Sequence, residues 1–449
     1  MSIYTGLASK LLFPLHERLK GHDTVRVRHA MEVQQWLSTA DIQVLQLQRL
    51  RAFLEKIGQQ VPYYRELFAA RGFEPRSLAS IAGLAALPLL DMAAIRANEQ
   101  ALRSATAGAL QRFNTGGSSG EPLVFYLGKE RVSHDVAAKW RATRWWGVDI
   151  GDPEIVLWGS PIELGSQDRV RLLRDRLFRT CLLSAFDLSQ ARMDDYLEEM
   201  ERRRPAMLFG YPSAFSLLAE RAAATGRTMD RLGIKVVFVT SERLYDHQRA
   251  LIENCFGCPV ANGYGGRDAG FVAHQCPRGS LHLTADDQVV EIVDADGRPL
   301  PVGESGEIVV THMATSEFPF VRYRTGDVGR LTDEPCACGR GLPVLASVEG
   351  RSTDFVVARD GTRIHGLALI YILRDMPEVA LFKIVQESLD EVRVQVVPGA
   401  GFGQPNVDLI VNGFRARLGR EVDVKVHCVE EISAEKSGKF RYVISRVTR

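Results

Sequence analysis

The sequence predicts an α/β protein: a large N-terminal domain with helices packed on sheets plus an antiparallel β segment, followed by a small mobile α+β C-terminal domain. Three observations predict it. Short apolar strands alternate with helical stretches between about residues 154 and 242, the pattern of a sheet built with helical crossovers. From Gln288 the texture changes to paired strands, VVEIVDADGRPL and GESGEIVVTHM, with Asp-Gly and Glu-Ser-Gly at the turns. A last block from about Asp354 reads strand, Asp-Gly hairpin, helix, two strands, helix, strand.

Taken in order, residues 1–110 read as a mainly helical leader. Trp36, Leu37, Val44, Leu47, Leu50, Phe53 and Leu54 recur at helical spacing until Pro62 breaks the pattern. EIVLWGS at 154–160, PAMLFGY and KVVFVTSE read as strands, with helices from about Ser189 to Arg204 and from Pro212 to Thr225 between them. The antiparallel segment covers 285–347. VEGRSTD at 348–354 is the hinge candidate, dividing 1–350 from 351–449. Beyond it, helices are expected over Leu367 to Asp375 and Asn406 to Leu418.

Composition narrows the function. The 449 residues carry 56 Lys plus Arg against 55 Asp plus Glu, with 45% apolar and 25% charged residues. That excludes whole-chain disorder, collagen and coiled coil. A net charge of +1 supplies no field for a phosphate backbone, so no nucleic-acid partner is expected. No apolar run approaches the ~20 residues that span a bilayer, and the first residues do not read as a signal peptide. The expectation is a cytoplasmic protein with no membrane partner, acting on metabolites.

Five segments carry chemistry. FNTGGSSGEP at 113–122 gathers glycines and hydroxyls that can turn N–H groups toward phosphates, or make a flexible turn; it lacks the Gly-Lys-Ser/Thr ending of a Walker A loop. FPFVRYRTGD ends in Asp327, an acid suited to ribose hydroxyls or to capping its own turn. SAEKSGKF holds Lys436 and Lys439 at a Ser-Gly turn. HQCPRGSLH and EPCACGRG offer His274, Cys276, His282, Cys336 and Cys338. Three thiols and one imidazole make a closed, structural zinc site, and free buried cysteines are the alternative. Cys255 and Cys258 are expected to pack as small apolar groups.

A hydroxyl-glycine loop, Tyr-Gly-x-x-acid at 264–268, Tyr-Arg-Thr-Gly-Asp at 323–327, Gly-Arg-x-x-Asp at 350–354 and a late Ser-Gly-Lys follow one another in that order. From about Phe113 to Arg446 the chain thereby resembles the phenylacetate-CoA ligase and CapK-like branch of the acyl-adenylate-forming superfamily. The resemblance implies ATP, Mg2+ and coenzyme A as cofactors. It gives Thr115, Ser118, Ser119 and Gly120 to the ATP phosphates, Tyr264 to the adenine, Asp268 to Mg2+, Asp327 to the ribose, Arg351 to the ribose or phosphate, and Asp354 to the hinge. Lys439 is implied as the lysine that stabilises pyrophosphate and the bridging oxygen. Zinc would take Cys276, His282, Cys336 and Cys338, with His274 a rival ligand.

The acid pocket is expected around Tyr211, Pro212, Gly265 and Gly266, whose aromatic and glycine-rich walls suit a flat ring; Tyr211 and Phe215 as core residues are the alternative. Trp140, Trp145 and Trp146 are expected in the core. The function implied is acid activation through an acyl, and by the pocket walls aryl, adenylate, then thioester formation with coenzyme A. A second reading passes the acyl group to an amine, hydroxyl or carrier protein in polysaccharide or natural-product synthesis. A third, motivated by Glu121 and by Asp268 in place of the usual glutamate, is a catalytically degenerate nucleotide-binding protein. A homodimer is the oligomeric state that the resemblance suggests.

Overall fold

The computed structural model describes residues 2–114, 123–158, 169–185, 188–349, 355–432 and 442–447. Thr115, Ser118, Ser119, Gly120, Arg351, Asp354 and Lys439 lie outside the described residues. So does Glu121.

The leader is helical, as read. Its longest helix, Thr39–Gln60, starts where Ser38 Oγ accepts the N–H of Asp41 at 3.1 Å. Ile42, Leu50, Phe53, Leu54 and Ile57 make its buried stripe. Two expectations change here. Pro62 opens the next helix, Pro62–Arg71, as its first residue, because a first-turn proline has no intrahelical hydrogen bond to lose. Trp36 and Val44 are 55% and 56% exposed; Trp36 instead stacks under the Arg340 guanidinium at 4.9 Å.

After a hairpin of β1 (Gln111–Asn114) and β2 (Val124–Leu127) comes the helix Lys129–Trp145, then the main sheet. Its parallel half comprises β3 (Glu154–Trp158), β4 (Thr180–Ser184), β5 (Met207–Gly210), β6 (Val236–Thr240) and β7 (Val260–Gly266), in spatial order β4-β3-β5-β6-β7. Every residue of β6, VVFVT, is buried, as expected for a strand covered on both faces. The helices Gln190–Arg203 and Pro212–Ala224 are the crossovers read from sequence.

The antiparallel half continues the same sheet. It begins at β8 (Gly270–Gln275), earlier than the expected residue 285, and adds β9 (Leu281–Leu283), β10 (Gln288–Val293), β11 (Ser305–His312), β12 (Tyr323–Thr332) and β13 (Val344–Glu349). The full order is β10-β11-β12-β13-β9-β8-β7-β6-β5-β3-β4, eleven strands. Side chains of β12 and β7, four places apart in that order, nevertheless touch (below), so this half curls back on itself.

The C-terminal unit has its own sheet. The hairpin β14 (Phe355–Val357) and β15 (Arg363–His365) turns at Gly361, whose φ is +86°. β16 (Val379–Gln386), β17 (Glu391–Pro398), β18 (Asp423–Cys428) and β19 (Val443–Ser445) follow, in order β18-β17-β16-β19. The helices Leu367–Arg374 and Gln404–Leu418 pack on it over Leu369, Phe382, Ile384, Val394 and Phe414. No helix among the described residues is long and apolar enough to cross a membrane.

Candidate functional site

In open α/β sheets ligands bind beyond the carboxyl ends of the strands. Here those ends bring together Trp158, Tyr211, Ser241 and the β7–β8 hairpin. Trp158 and Tyr211 stack with ring centres 4.6 Å apart and planes at 17°. Ser241 holds a left-handed φ of 70° immediately after β6, strain that a side chain accepts only where its surroundings fix it. Pro212 starts the following helix, and the N–H of Ser213 meets Glu242 Oε2 at 3.4 Å. Tyr211 is 5% exposed and Phe215 0%; both belong to the helix-face core, the alternative read for them from sequence, and Tyr211 also stacks on the half-buried Trp158 at its edge.

The β7–β8 hairpin pairs Gly266 with Gly270, leaving Arg267, Asp268 and Ala269 as its connection. Gly265 is sterically required: a Cβ there would lie 2.1 Å from the Gly270 carbonyl oxygen. Asp268, at the tip, accepts the N–H of Ala269 at 2.9 Å on one carboxylate oxygen and the hydroxyl of Tyr323 at 2.6 Å on the other. Each oxygen keeps a further lone pair. One carboxylate is the donor count with which Mg2+ is held when substrate phosphates complete its shell, so Asp268 fits the metal role.

Asp327 is turned by a bulge. The β11–β12 register shifts between Glu307 and Val309, and Gly326 takes φ +75°; such bulges re-aim side chains. Tyr264 donates to Asp327 Oδ2 at 3.1 Å and lies 3.4 Å from Thr325 Oγ1. Burial, then the Asp327 charge, holds the Tyr264 phenol well above its ordinary range, so it stays a donor. Two acids are thus each fixed by a tyrosine from the other side: Tyr264 on Asp327, and Tyr323 on Asp268.

The metal-ligating side chains also converge. One donor atom each from Cys276, His282, Cys336 and Cys338 lies within 4.8 Å of all the others. The turns that present them are tight, with Gly279 N–H on Cys276 O at 2.9 Å and Gly339 N–H on Cys336 O at 3.1 Å. Cys276 Sγ to Cys336 Sγ is 3.6 Å, and Cys338 Sγ to His282 Nε2 is 3.2 Å. Tetrahedral zinc bonds would set those edges at about 3.8 and 3.6 Å. His282 Nδ1 faces the Leu342 carbonyl at 3.1 Å, which leaves the Nε2 lone pair for a metal. Burial pulls the His282 pKa down, keeping the ring neutral. The donor set fits Zn2+. His274 stands apart, stacked on Phe271 at 5.4 Å. Cys255 and Cys258 pack in the helix-face core.

Comparison with known proteins bears on the family and the fold. The AMP-binding enzyme family matches residues 178–317, and the CapK C-terminal domain family matches 356–446. Protein CapK of Staphylococcus aureus is 22% identical over 93% of this chain and 92% of its own length. A phenylacetate-coenzyme A ligase of Thermus thermophilus is 24% identical over 90% and 96%. The two family matches, in this order along one chain, and the similarity to these relatives over most of their length support a place in the CapK and phenylacetate-CoA ligase-like branch of the AMP-forming ligases. Its fold is shared with 2-hydroxyisobutyryl-CoA ligase solved with 2-HIB-AMP and CoA in the thioesterification state, at a TM-score of 0.65, 21% identity, and 92% and 91% coverage.

In this CapK-like chain, sequence reasoning missed Trp158, Tyr323 and the buried polar side chains beneath the hairpin. Tyr323 stands inside a motif already singled out, at the strand position before Arg324, and could have been found there.

The buried histidines make the fold acid-sensitive. Burial, then Arg141, lowers the His274 pKa to about 3; burial, then Arg131, lowers that of His312 to about 4. Both lie below the ordinary 6.5, so between these values the unfolded chain binds more protons and stability falls as pH drops from 6.5 toward 4. His134, raised by Asp287 against its burial, and Glu291 and Glu317, raised by burial, work the other way, against the lowered His274, His312, His282 and His16. Asp135 and Asp287, both lowered, contribute only near and below 3.8. The melting temperature is expected to fall across that window and His274→Leu to flatten the fall; parallel curves for the two proteins would contradict this.

Proposed function

We propose that the protein activates a small carboxylic acid with ATP, through an acyl adenylate, and passes the acyl group to coenzyme A. The observation that carries this reading is the pair of tyrosine-clamped acids, Asp268 just past the carboxyl end of β7 and Asp327 on β12 against Tyr264 of β7. The family matches and the names of the coenzyme A ligase relatives support it.

The chemistry follows from charge. A carboxylate must approach a polyanion, so catalysis is positioning and neutralisation. Mg2+, when bound, neutralises phosphate charge. Asp268 would hold it, Asp327 would take the ribose hydroxyls, and Lys439 with the 115–120 loop would face the phosphates. The stack of Trp158 on Tyr211 gives the acid a flat apolar wall, in keeping with an aryl acid. An acyl adenylate hydrolyses readily, which favours a site covered by a mobile small domain turning at Asp354. Zn2+ on Cys276, His282, Cys336 and Cys338 would be structural, since four protein donors leave no open position.

Asp327→Asn keeps the shape but loses the charge that accepts two hydroxyl protons. We expect the KM for ATP to rise about tenfold or more, the value of one to two charged hydrogen bonds, with the KM for the acid nearly unchanged; equal changes in both would place Asp327 elsewhere. The acceptor is tested by mixing enzyme, ATP, the preferred acid and coenzyme A. Equal amounts of AMP and thioester support the reading. Acyl adenylate that accumulates with coenzyme A untouched, yet is consumed by an amine or a carrier protein, would replace coenzyme A as the acceptor.

A further inference from the structure

The hairpin that carries Asp268 rests on three side chains from outside every motif read from the sequence. Arg131, on the helix Lys129–Trp145, is 1% exposed. Its Nη2 reaches the carbonyl oxygens of Arg267 at 3.5 Å and Asp268 at 3.3 Å, while its Nε donates to Asp135 Oδ2 at 2.9 Å. Asp135 Oδ1 in turn lies 3.7 Å from His312 Nε2, on β11. Gly270, at φ +86°, closes the hairpin directly over this group: a Cβ there would lie 2.6 Å from Arg131 Nη2, 2.9 Å from Asp135 Oδ1 and 3.0 Å from His312 Cδ2.

We propose that Arg131 is a positioning residue for the nucleotide-bound divalent cation, acting through the backbone of Asp268. The proposal rests on the reading of Asp268 as the metal carboxylate. An aspartate has two side-chain torsions, so its reach is set almost wholly by where its backbone lies. Mg2+ accepts little deviation from its ~2.0–2.1 Å octahedral bonds. A guanidinium with its donors in a fixed plane, aimed at two successive carbonyls and braced by a carboxylate, holds that backbone as a point charge does not. The Tyr323 hydroxyl and the Ala269 N–H then fix the carboxylate itself.

The same helix supplies a control. Arg141 is also 1% exposed, but it directs its guanidinium to Asp286 Oδ2 at 2.5 Å and to the Met31 carbonyl at 3.4 Å. A purely structural role predicts that Arg131→Lys and Arg141→Lys behave alike.

The test titrates Mn2+, read by electron paramagnetic resonance, into full-length protein with a non-hydrolysable ATP analogue, and measures AMP affinity without metal by calorimetry. Arg131→Lys is expected to weaken Mn2+ binding about tenfold or more, the usual cost of losing a residue that orients a metal ligand, with AMP affinity nearly unchanged. Arg141→Lys is expected to lower the melting temperature with Mn2+ affinity intact. Should Arg131→Lys fail to fold, Asp135→Asn, which frees the Arg131 fork, carries the same expectation. Unchanged Mn2+ affinity in the variants at 131 and 135, or an equal loss in Arg141→Lys, overturns the proposal. Wild-type protein that binds AMP but no Mn2+ with the analogue overturns the underlying assignment of Asp268, and the proposal with it.

Discussion

Lys439→Ala is expected to lower acid-dependent ATP–pyrophosphate exchange by about 10²–10³-fold, the scale on which one lost charge-stabilising donor acts in a transition state. The proposed role of Lys439 is confined to adenylation, where it meets the charge that develops between the α-phosphate and the leaving pyrophosphate. The second half-reaction has no such charge. The same variant, supplied with preformed acyl adenylate and coenzyme A, is therefore expected to make thioester at close to the wild-type rate. Loss of both halves would mean a general role in folding or nucleotide binding, and loss of neither would remove Lys439 from the chemistry. The split separates these outcomes more sharply than a single rate.

Loss of the proposed zinc staple is the second large effect expected. The four donors join the β8–β9 segment to the 336–338 turn, so the proposed zinc would tie two segments sixty residues apart in sequence (Cys276 to Cys336). Removing one ligand leaves a buried, partly filled donor set as well as an untied loop. Cys338→Ser is expected to cost about 4 kcal/mol or more, in the range of lost metal sites, and to lower the melting temperature by roughly 5 °C. Wild-type protein is expected to carry one zinc per chain by atomic emission. His274→Leu is expected to keep it, whereas His282→Leu is expected to lose it. Zinc-free wild-type protein of unchanged stability would show four packed but unmetallated side chains.

Much of this was legible in the sequence, for identifiable reasons. Strands such as VVFVT, buried throughout, flank helices with one buried face, and that contrast marks a parallel sheet without any tertiary knowledge. Asp268 and Asp327 were singled out from their motifs, but not the hairpin and bulge that present them, although Gly265, Gly270 and Gly326 hold the positive φ angles those turns need. Other features leave no local trace. Arg131, Asp135 and His312 meet only when the helix Lys129–Trp145 crosses β8 and β11, and nothing in their spacing predicts it. β19, three residues long and paired with β16, depends wholly on its partner strand. Trp36 fits a helical stripe by period yet serves as a stacking surface for Arg340. Spacing also left His274 and His282 equivalent, and only the three-dimensional arrangement separates them.

The central claim, that the two tyrosine-clamped acids belong to an acid-adenylating site, is tested most directly by pyrophosphate exchange. Labelled pyrophosphate would be followed into ATP with Mg2+, across aryl and short aliphatic carboxylic acids, for wild-type protein and Asp268→Asn. The account predicts exchange that depends on one class of acid and falls about 10²-fold or more in the variant. ATP binding with no exchange for any acid, or exchange that Asp268→Asn leaves intact, would contradict it.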